Sequence, residues 1–206
     1  FNGGIGGDTA YDMNKRLDGD IFSKNPTVLM VTFGMNDSGY YEYNGDNAKE
    51  FGEQKYQESI KNFQQMEKRF KELPHTRIVM TGTSPYDETA QIKDNTVFKK
   101  KNETIKRIIE YQRESAARNG WEFTDWNAPM VAINQELQQK DPSFTLCGND
   151  RIHPDNDGHM VMAYLFLKAQ GFAGKDVANM EINANKKQAV KAEGCTISNI
   201  KKIGKD

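Results

Sequence analysis

The feature that most limits how this chain can fold is a repeated alternation between short apolar runs and longer stretches with helical spacing. Residues 27–33, TVLMVTF, form a β-branched and apolar run between Pro26 and Gly34. A run of this length without polar alternation suits a strand buried on both faces. Over residues 55–73, Tyr56, Ile60, Phe63, Met66, Phe70 and Leu73 recur every three or four positions, and Pro74 ends the pattern. That spacing predicts an amphipathic helix. Residues 77–81, RIVMT, predict a second buried strand that runs into the turn cluster Gly82-Thr83-Ser84-Pro85. Ile105, Ile108, Ile109, Gln112 and Ala116 mark a helix over residues 97–118, which Asn119-Gly120 stops with a left-handed residue. Residues 121–126 alternate like a strand and residues 128–139 read as a helix. Residues 159–170 are apolar nearly all round, which predicts a core-facing helix capped by Asn156 or Asp157.

Strands that alternate with helices through short links pair in parallel and carry helices on both faces. The expected fold class is therefore α/β, a three-layer α/β/α sandwich around a central parallel sheet. Residues 1–171 account for one domain, and a length of 206 residues leaves room for little more. Residues 172–206, rich in Lys and Asn, read as an appended segment, either a helix plus short strands packed on the domain or the beginning of something longer. Lys and Arg number 28 against 29 Asp and Glu, so no charge excess argues for a nucleic-acid partner or a membrane surface. No apolar run approaches the roughly 18 residues of a membrane span. The opening residues lack a signal-peptide pattern, and the compartment stays open, with export favoured over the cytoplasm. Cys147 and Cys195 lie far apart without metal spacing, which allows one disulfide or two free thiols.

In sheets of this kind ligands sit outside the carboxyl ends of the strands. That rule selects the loop Phe33-Gly34-Met35-Asn36-Asp37, the loop Gly82-Thr83-Ser84-Pro85 and the opening stretch FNGGIGGDT; the polar segment GNDRIHP at residues 148–154 is a fourth candidate. A general base needs an imidazole held in one tautomer by an acceptor on its other nitrogen, and Asp150 stands three residues before His153. The same spacing also suits a surface loop capped by its own carboxylate. His75, after Pro74, and His159, opening a helix, read as structural or solvated. Asn36 at a strand's carboxyl end can donate to a developing oxyanion, although Gly34 and Asn36-Asp37 are ordinary turn formers too. The glycine loop leaves backbone N–H groups open to a carbonyl oxygen or a phosphate. A dinucleotide fingerprint fails there, because Thr9 stands where its last glycine belongs.

The order and contexts of these features together resemble one family, the SGNH or GDSL-type esterases and acylhydrolases. NGGIGGDT resembles its second block, GMND its third, and DRIHP followed by DNDGH its last, while VMTGTSP is similar to the intervening strand and loop. The resemblance covers residues 1–171 and implies a flavodoxin-like sandwich, an oxyanion hole from Gly7 and Asn36, Asp150 and His153 as the acid and base of a triad, and no metal or organic cofactor. It also implies a first block, a strand ending in Gly-Asp-Ser, ahead of the glycine loop. Gly7-Asp8-Thr9 imitates that block and keeps a hydroxyl. Yet no apolar strand precedes it, and residues 2–7 are what the second block needs. Thr9 therefore reads as a bystander, and Ser38 and Ser84 lack the Gly-Asp context. The expectation is that the nucleophilic Ser and the first strand lie upstream of Phe1, leaving these residues inactive by themselves.

The implied function is a serine esterase that cleaves acyl esters, foremost O-acetyl groups. Trp121, Trp126 and several tyrosines offer stacking platforms, which favours an acetylated saccharide as the small partner. The alternative is a non-catalytic carbohydrate-binding or structural domain of the same fold.

Overall fold

The computed structural model describes residues 1–93, 96–201 and 203–204, and its contacts divide the chain into two units, Phe1–Ala169 and Gln170–Asp206. In the first unit, β1 (Val28–Phe33), β2 (Arg77–Gly82) and β3 (Glu122–Asp125) form a parallel sheet in the order β1-β2-β3. Phe33 lies opposite Gly82 and Gly82 opposite Asp125, so the three carboxyl ends finish level. The α-helices of this unit are α1 (Ala10–Arg16), ahead of β1, α2 (Ala48–Phe70) and α3 (Lys101–Asn119), between the strands, and α4 (Asn127–Leu137) and α5 (Asn156–Ala169), after β3. The α/β class with a central parallel sheet is the one the sequence predicts.

The amphipathic face of α2 does what its spacing requires. Phe63, Met66 and Phe70 pack with Val31, Phe33, Ile78 and Met80 of the sheet and with Ile108 and Ala116 of α3. Each such side chain, fully buried, is worth about 1.5 to 3 kcal/mol. A separate cluster joins Trp126, Met130, Leu146 and Cys147 to Val161, Met162 and Leu165 of α5. Helix α3 begins later than its apolar spacing suggests, because Lys100 adopts a left-handed φ of 70° just before it. The Glu88 carboxylate accepts the Lys100 and Asn102 N–H groups at 2.8 and 2.7 Å and so caps the helix. At its other end Gly120, with φ 67°, provides the expected stop.

Three expectations need correction. Strand β1 buries Val31 and Phe33 but leaves Val28 and Met30 about half exposed, because it is an edge strand whose far face lines an open groove. Helix α5 starts at Asn156 and is capped by Asp155, whose carboxylate accepts the Gly158 N–H at 3.3 Å. Its apolar residues do not all face the core: Met160, Tyr164 and Leu167 stand in solvent while Val161, Met162 and Leu165 pack inward. The tryptophans are not surface platforms either. Trp126 is buried and donates its indole N–H to the Met162 carbonyl at 3.1 Å, and Trp121 packs edge-on against Phe70.

The second unit contains an antiparallel hairpin, β4 (Asn179–Asn183) and β5 (Gln188–Glu193), with an irregularity between Glu181 and Ile182. The Asn183 side chain accepts the Lys186 N–H at 2.9 Å and Lys187 takes a φ of 53°, which closes the turn. The helix expected in this segment is absent among the described residues; Lys202, Lys205 and Asp206 lie outside them. Both cysteines are free thiols, Cys147 buried and Cys195 partly so.

One carboxylate ties the elements of the first unit together at the carboxyl end of β1. Asp37, buried, accepts the Ala10 N–H of α1 at 3.0 Å, the Gly34 N–H at 3.1 Å and the Ser59 hydroxyl of α2 at 2.9 Å. Asp37→Ala leaves all three donors without an acceptor. The expected result is a loss of about 3 kcal/mol of unfolding free energy, measured as a lowered urea midpoint; an unchanged midpoint contradicts the tie.

Candidate active site

The opening loop is shaped by one glycine and by the helix that follows it. Gly7 holds a φ of 88°, a left-handed conformation that glycine adopts without a Cβ penalty, and its backbone faces solvent. Thr9 is the N-cap of α1. Its hydroxyl donates to the Asp12 carboxylate at 2.6 Å, and its N–H reaches the same oxygen at 3.1 Å. The Thr9 hydroxyl and N–H, the two largest causes, hold the Asp12 carboxyl below its ordinary value. Arg16 folds the loop back on α1, donating to the Gly3 carbonyl at 2.6 Å and to the Asp8 carboxylate at 2.7 Å.

Asn36 links this loop to the end of β1. Its side-chain amide donates to the Asp8 carbonyl at 3.0 Å, and its oxygen accepts from the Tyr40 hydroxyl at 2.6 Å. A backbone carbonyl can only accept, so the amide orientation is set by its partners. The structure thus brings the residue after Gly7 into contact with Asn36, across 28 positions of sequence.

Asp150 and His153 form the second half of the site. The imidazole Nδ1 lies 2.6 Å from Asp150 Oδ2, while Asp150 Oδ1 accepts the backbone N–H groups of Ile152 and His153, each at 2.9 Å. The His153 side chain is 80% exposed, so its Nε2 edge is open to a ligand. Burial pushes the Asp150 carboxyl up, but the hydrogen bonds from the imidazole and the two backbone N–H groups outweigh it and leave the group below its ordinary value. The loop is held from beneath by Arg151, a residue sequence reasoning passed over. Arg151 has a left-handed φ of 68° and a side chain buried under the loop, donating to the Asp87 and Ala90 carbonyls at 3.1 and 2.7 Å. Gly148 is required by the same turn: a Cβ there would sit 2.5 Å from the His153 carbonyl oxygen, at a φ of 65°.

The two halves share an apolar floor. Ile152 packs against the cluster of Tyr43, Tyr86, Phe98, Ile105 and Ile109 that also receives Met35 and Tyr40. Burial, then the Asp150 and Asp37 charges, push the Tyr40 phenol up to about 12, so it stays neutral. Other candidates fall away from this cluster. His75 and His159 are exposed, on the turn after α2 and on α5. The Ser38 hydroxyl donates to the Met35 carbonyl at 2.9 Å, the Ser59 hydroxyl is spent on Asp37, and Ser84 is buried. Sequence reasoning also missed Tyr40 and Lys101, which sit among polar and turn residues and carry no signal there.

A family model for the GDSL-like lipase/acylhydrolase family matches residues 1–161. The chain belongs to that family. It is accordingly an ester hydrolase by membership, and solved structures agree on the fold. Axe2, an acetylxylan esterase from Geobacillus stearothermophilus, is 24% identical, with a TM-score of 0.62 over 82% of this chain and 70% of that one. AlAXEase, an acetyl xylan esterase, is 22% identical, with a TM-score of 0.59 over 81% and 78%. A tryptophan variant of Axe2, named an acetyl-xylooligosaccharide esterase, is 21% identical, with a TM-score of 0.64 over 84% and 72%. No curated protein sequence matches the chain.

The Asp150 carboxyl offers a direct check on the loop. In His153→Ala, carbon-13 NMR titration should find its midpoint moved upward toward the ordinary aspartate value, because the imidazole contact that lowers it is gone. Any stability this carboxylate contributes is present above its unfolded value and is lost as pH falls through the folded one. A midpoint that stays put would mean that the backbone N–H groups alone hold Asp150.

Proposed function

We propose that this protein is a serine esterase that removes acyl groups, foremost O-acetyl groups, with a Ser-His-Asp triad to which this chain contributes Asp150 and His153. The observation that carries the reading is the 2.6 Å contact between Asp150 Oδ2 and His153 Nδ1, which leaves the opposite imidazole nitrogen facing out from a loop that shares its apolar floor with the Asn36 loop. His153 takes the proton of the attacking serine hydroxyl and returns it to the leaving alkoxide. Asp150 holds the tautomer and stabilises the imidazolium. The Gly7 N–H and the Asn36 amide receive the oxyanion, and each such donor is worth roughly 3 to 4 kcal/mol of barrier.

The serine is proposed to come from a segment ahead of Phe1, on a strand paired with the free edge of β1. What supports this is the edge itself. Among the described residues β1 pairs only with β2, and along its open side runs a groove of about 670 Å³ reaching from Phe1 to Asn36. An unpaired edge of this kind on an apolar strand is a liability unless another strand covers it.

The saccharide preference is also a proposal. Esterases of acetylated xylan share the fold, and of the expected tryptophan platforms Trp126 is a core residue and Trp121 is partly buried against the core. Tyr41, five residues beyond Asn36 and 80% exposed, takes over the stacking role on that side of the site.

The test is hydrolysis of p-nitrophenyl acetate by the full-length protein. His153→Ala should lower kcat about 10⁴-fold, with His75→Ala within twofold of wild type. Equal losses in both variants would remove the assignment. Tyr41→Ala should raise KM for an acetylated xylo-oligosaccharide about fivefold more than for p-nitrophenyl acetate, the scale of one lost stacking contact. A parallel rise for both substrates would exclude a sugar platform at Tyr41.

A further inference from the structure

We propose that Lys101 and Tyr40 are positioning residues for Asn36, a role that rests on the hydrolase reading above. Lys101 opens α3 and is fully buried. Its placement is not explained by the helix, since a positive charge at a helix N-terminus opposes the dipole. It is explained by the loop that carries Asn36. The Lys101 ammonium donates to the Met35 carbonyl at 2.7 Å, to the Ser38 hydroxyl at 2.6 Å and to the Gly39 carbonyl. Three N–H groups meet three oxygens, and these come from residues on both sides of Asn36. On its remaining side the ammonium lies over the Tyr40 ring, 3.8 Å from the centroid, with Tyr86 at 5.9 Å.

Tyr40 carries the grip on to the amide. Its hydroxyl donates to Asn36 Oδ1 at 2.6 Å, and a cation on the ring face draws density from the phenol and strengthens that donor. With Oδ1 taken by Tyr40 and one amide hydrogen given to the Asp8 carbonyl at 3.0 Å, the second amide hydrogen is left for the oxyanion. Losing either contact frees the amide to rotate about its side-chain torsion and to present oxygen where a donor is needed.

The arrangement also depends on pH. Burial pulls the Lys101 ammonium down to about 7, against the Asp37 carboxylate from the loop after β1 and the Glu88 carboxylate from the cap of α3, which raise it. The phenols of Tyr40 and Tyr86 also face the ammonium, both raised by burial and therefore neutral in this range. A neutral amine has two N–H groups for three oxygens and no charge to place over the ring. Deprotonation above neutral pH therefore loosens the Asn36 loop.

The experiment is steady-state hydrolysis of p-nitrophenyl acetate by the full-length protein between about pH 6 and pH 9, with Lys101→Met, Tyr40→Phe, Asn36→Ala and the double variants that include Asn36→Ala. Lys101→Met and Tyr40→Phe should each lower kcat about tenfold with KM within twofold, since the amide acts in the transition state only. The alkaline fall in wild-type kcat should be absent from Lys101→Met. Neither substitution should add to the loss in Asn36→Ala, because they act through the same group. Tyr40→Phe keeps the buried ring and the lysine, so it carries the test if Lys101→Met does not fold. Wild-type kcat in Tyr40→Phe and Lys101→Met beside a disabled Asn36→Ala overturns the positioning role alone, as do losses that multiply with that of Asn36→Ala. Full activity in Asn36→Ala overturns the oxyanion assignment beneath it, and the positioning role with it.

Discussion

The Asp37 carboxylate is the constraint on which the rest of the site depends. It sits at the carboxyl end of β1 and accepts hydrogen bonds from α1, from the strand end and from α2, so three separate elements converge on two oxygens. Burial raises its carboxyl above the ordinary value, and the Ala10, Ser59 and Gly34 donors only partly offset that. The folded protein therefore binds this proton more readily than the unfolded chain, so ionisation subtracts stability as pH rises from the unfolded value through the folded one. A buried charge held at that cost is better read as fixing one arrangement than as adding stability. What it fixes is the distance between the glycine loop and the Asn36 loop, since Ala10 follows the first and Gly34 precedes the second.

The two loops then need only short-range chemistry to be finished. Thr9 spends its hydroxyl on the cap of α1, and Arg16 folds the glycine loop onto the same helix. Asn36 closes the gap by donating to the Asp8 carbonyl. On the opposite side, the Asp150–His153 loop is fixed by an inversion of the usual burial order. The guanidinium of Arg151 points inward to backbone carbonyls, which turns Asp150 and His153 outward on either side of it. A left-handed residue at Arg151 and another at Gly148 make that reversal possible within a few residues.

Much of this was legible in the sequence, and the exceptions have physical causes. The strands at residues 27–33 and 77–81 follow from short apolar runs bounded by turn residues, and the helix before Pro74, which ends at Phe70, follows from its spacing of three or four, because burial of a helix face imposes that period. The Asp150/His153 contact was legible because three residues in a turn bring the groups together locally. The burial of β1 was not, since a strand's neighbours are set by which edge it occupies and an apolar run reads the same at an edge or in the middle. Helix α5 shows the same limit: its apolar residues outnumber those its contacts can cover. Arg151 and Lys101 were invisible for a further reason. A charged side chain is expected in water, and only the placement of distant carbonyls, those of Asp87 and Ala90 for one and of Met35 and Gly39 for the other, makes burial tolerable.

The open groove along β1 connects these points. Phe33, Gly82 and Asp125 end the three strands at one level, so a further parallel strand on the free edge of β1 would end there too. Its next residue would emerge beside Gly34 and the Asp8–Asn36 contact, on the side from which the Asn36 amide is approached. The same strand would narrow the groove that Val28 and Met30 line, and would exclude water from the lip of the site. Hydrogen-bond donors strengthen as water is excluded, because the local dielectric falls. A strand that delivered the proposed serine there would therefore also strengthen the donors proposed for the oxyanion, so that in this proposal nucleophile delivery and oxyanion stabilisation would follow from one packing event.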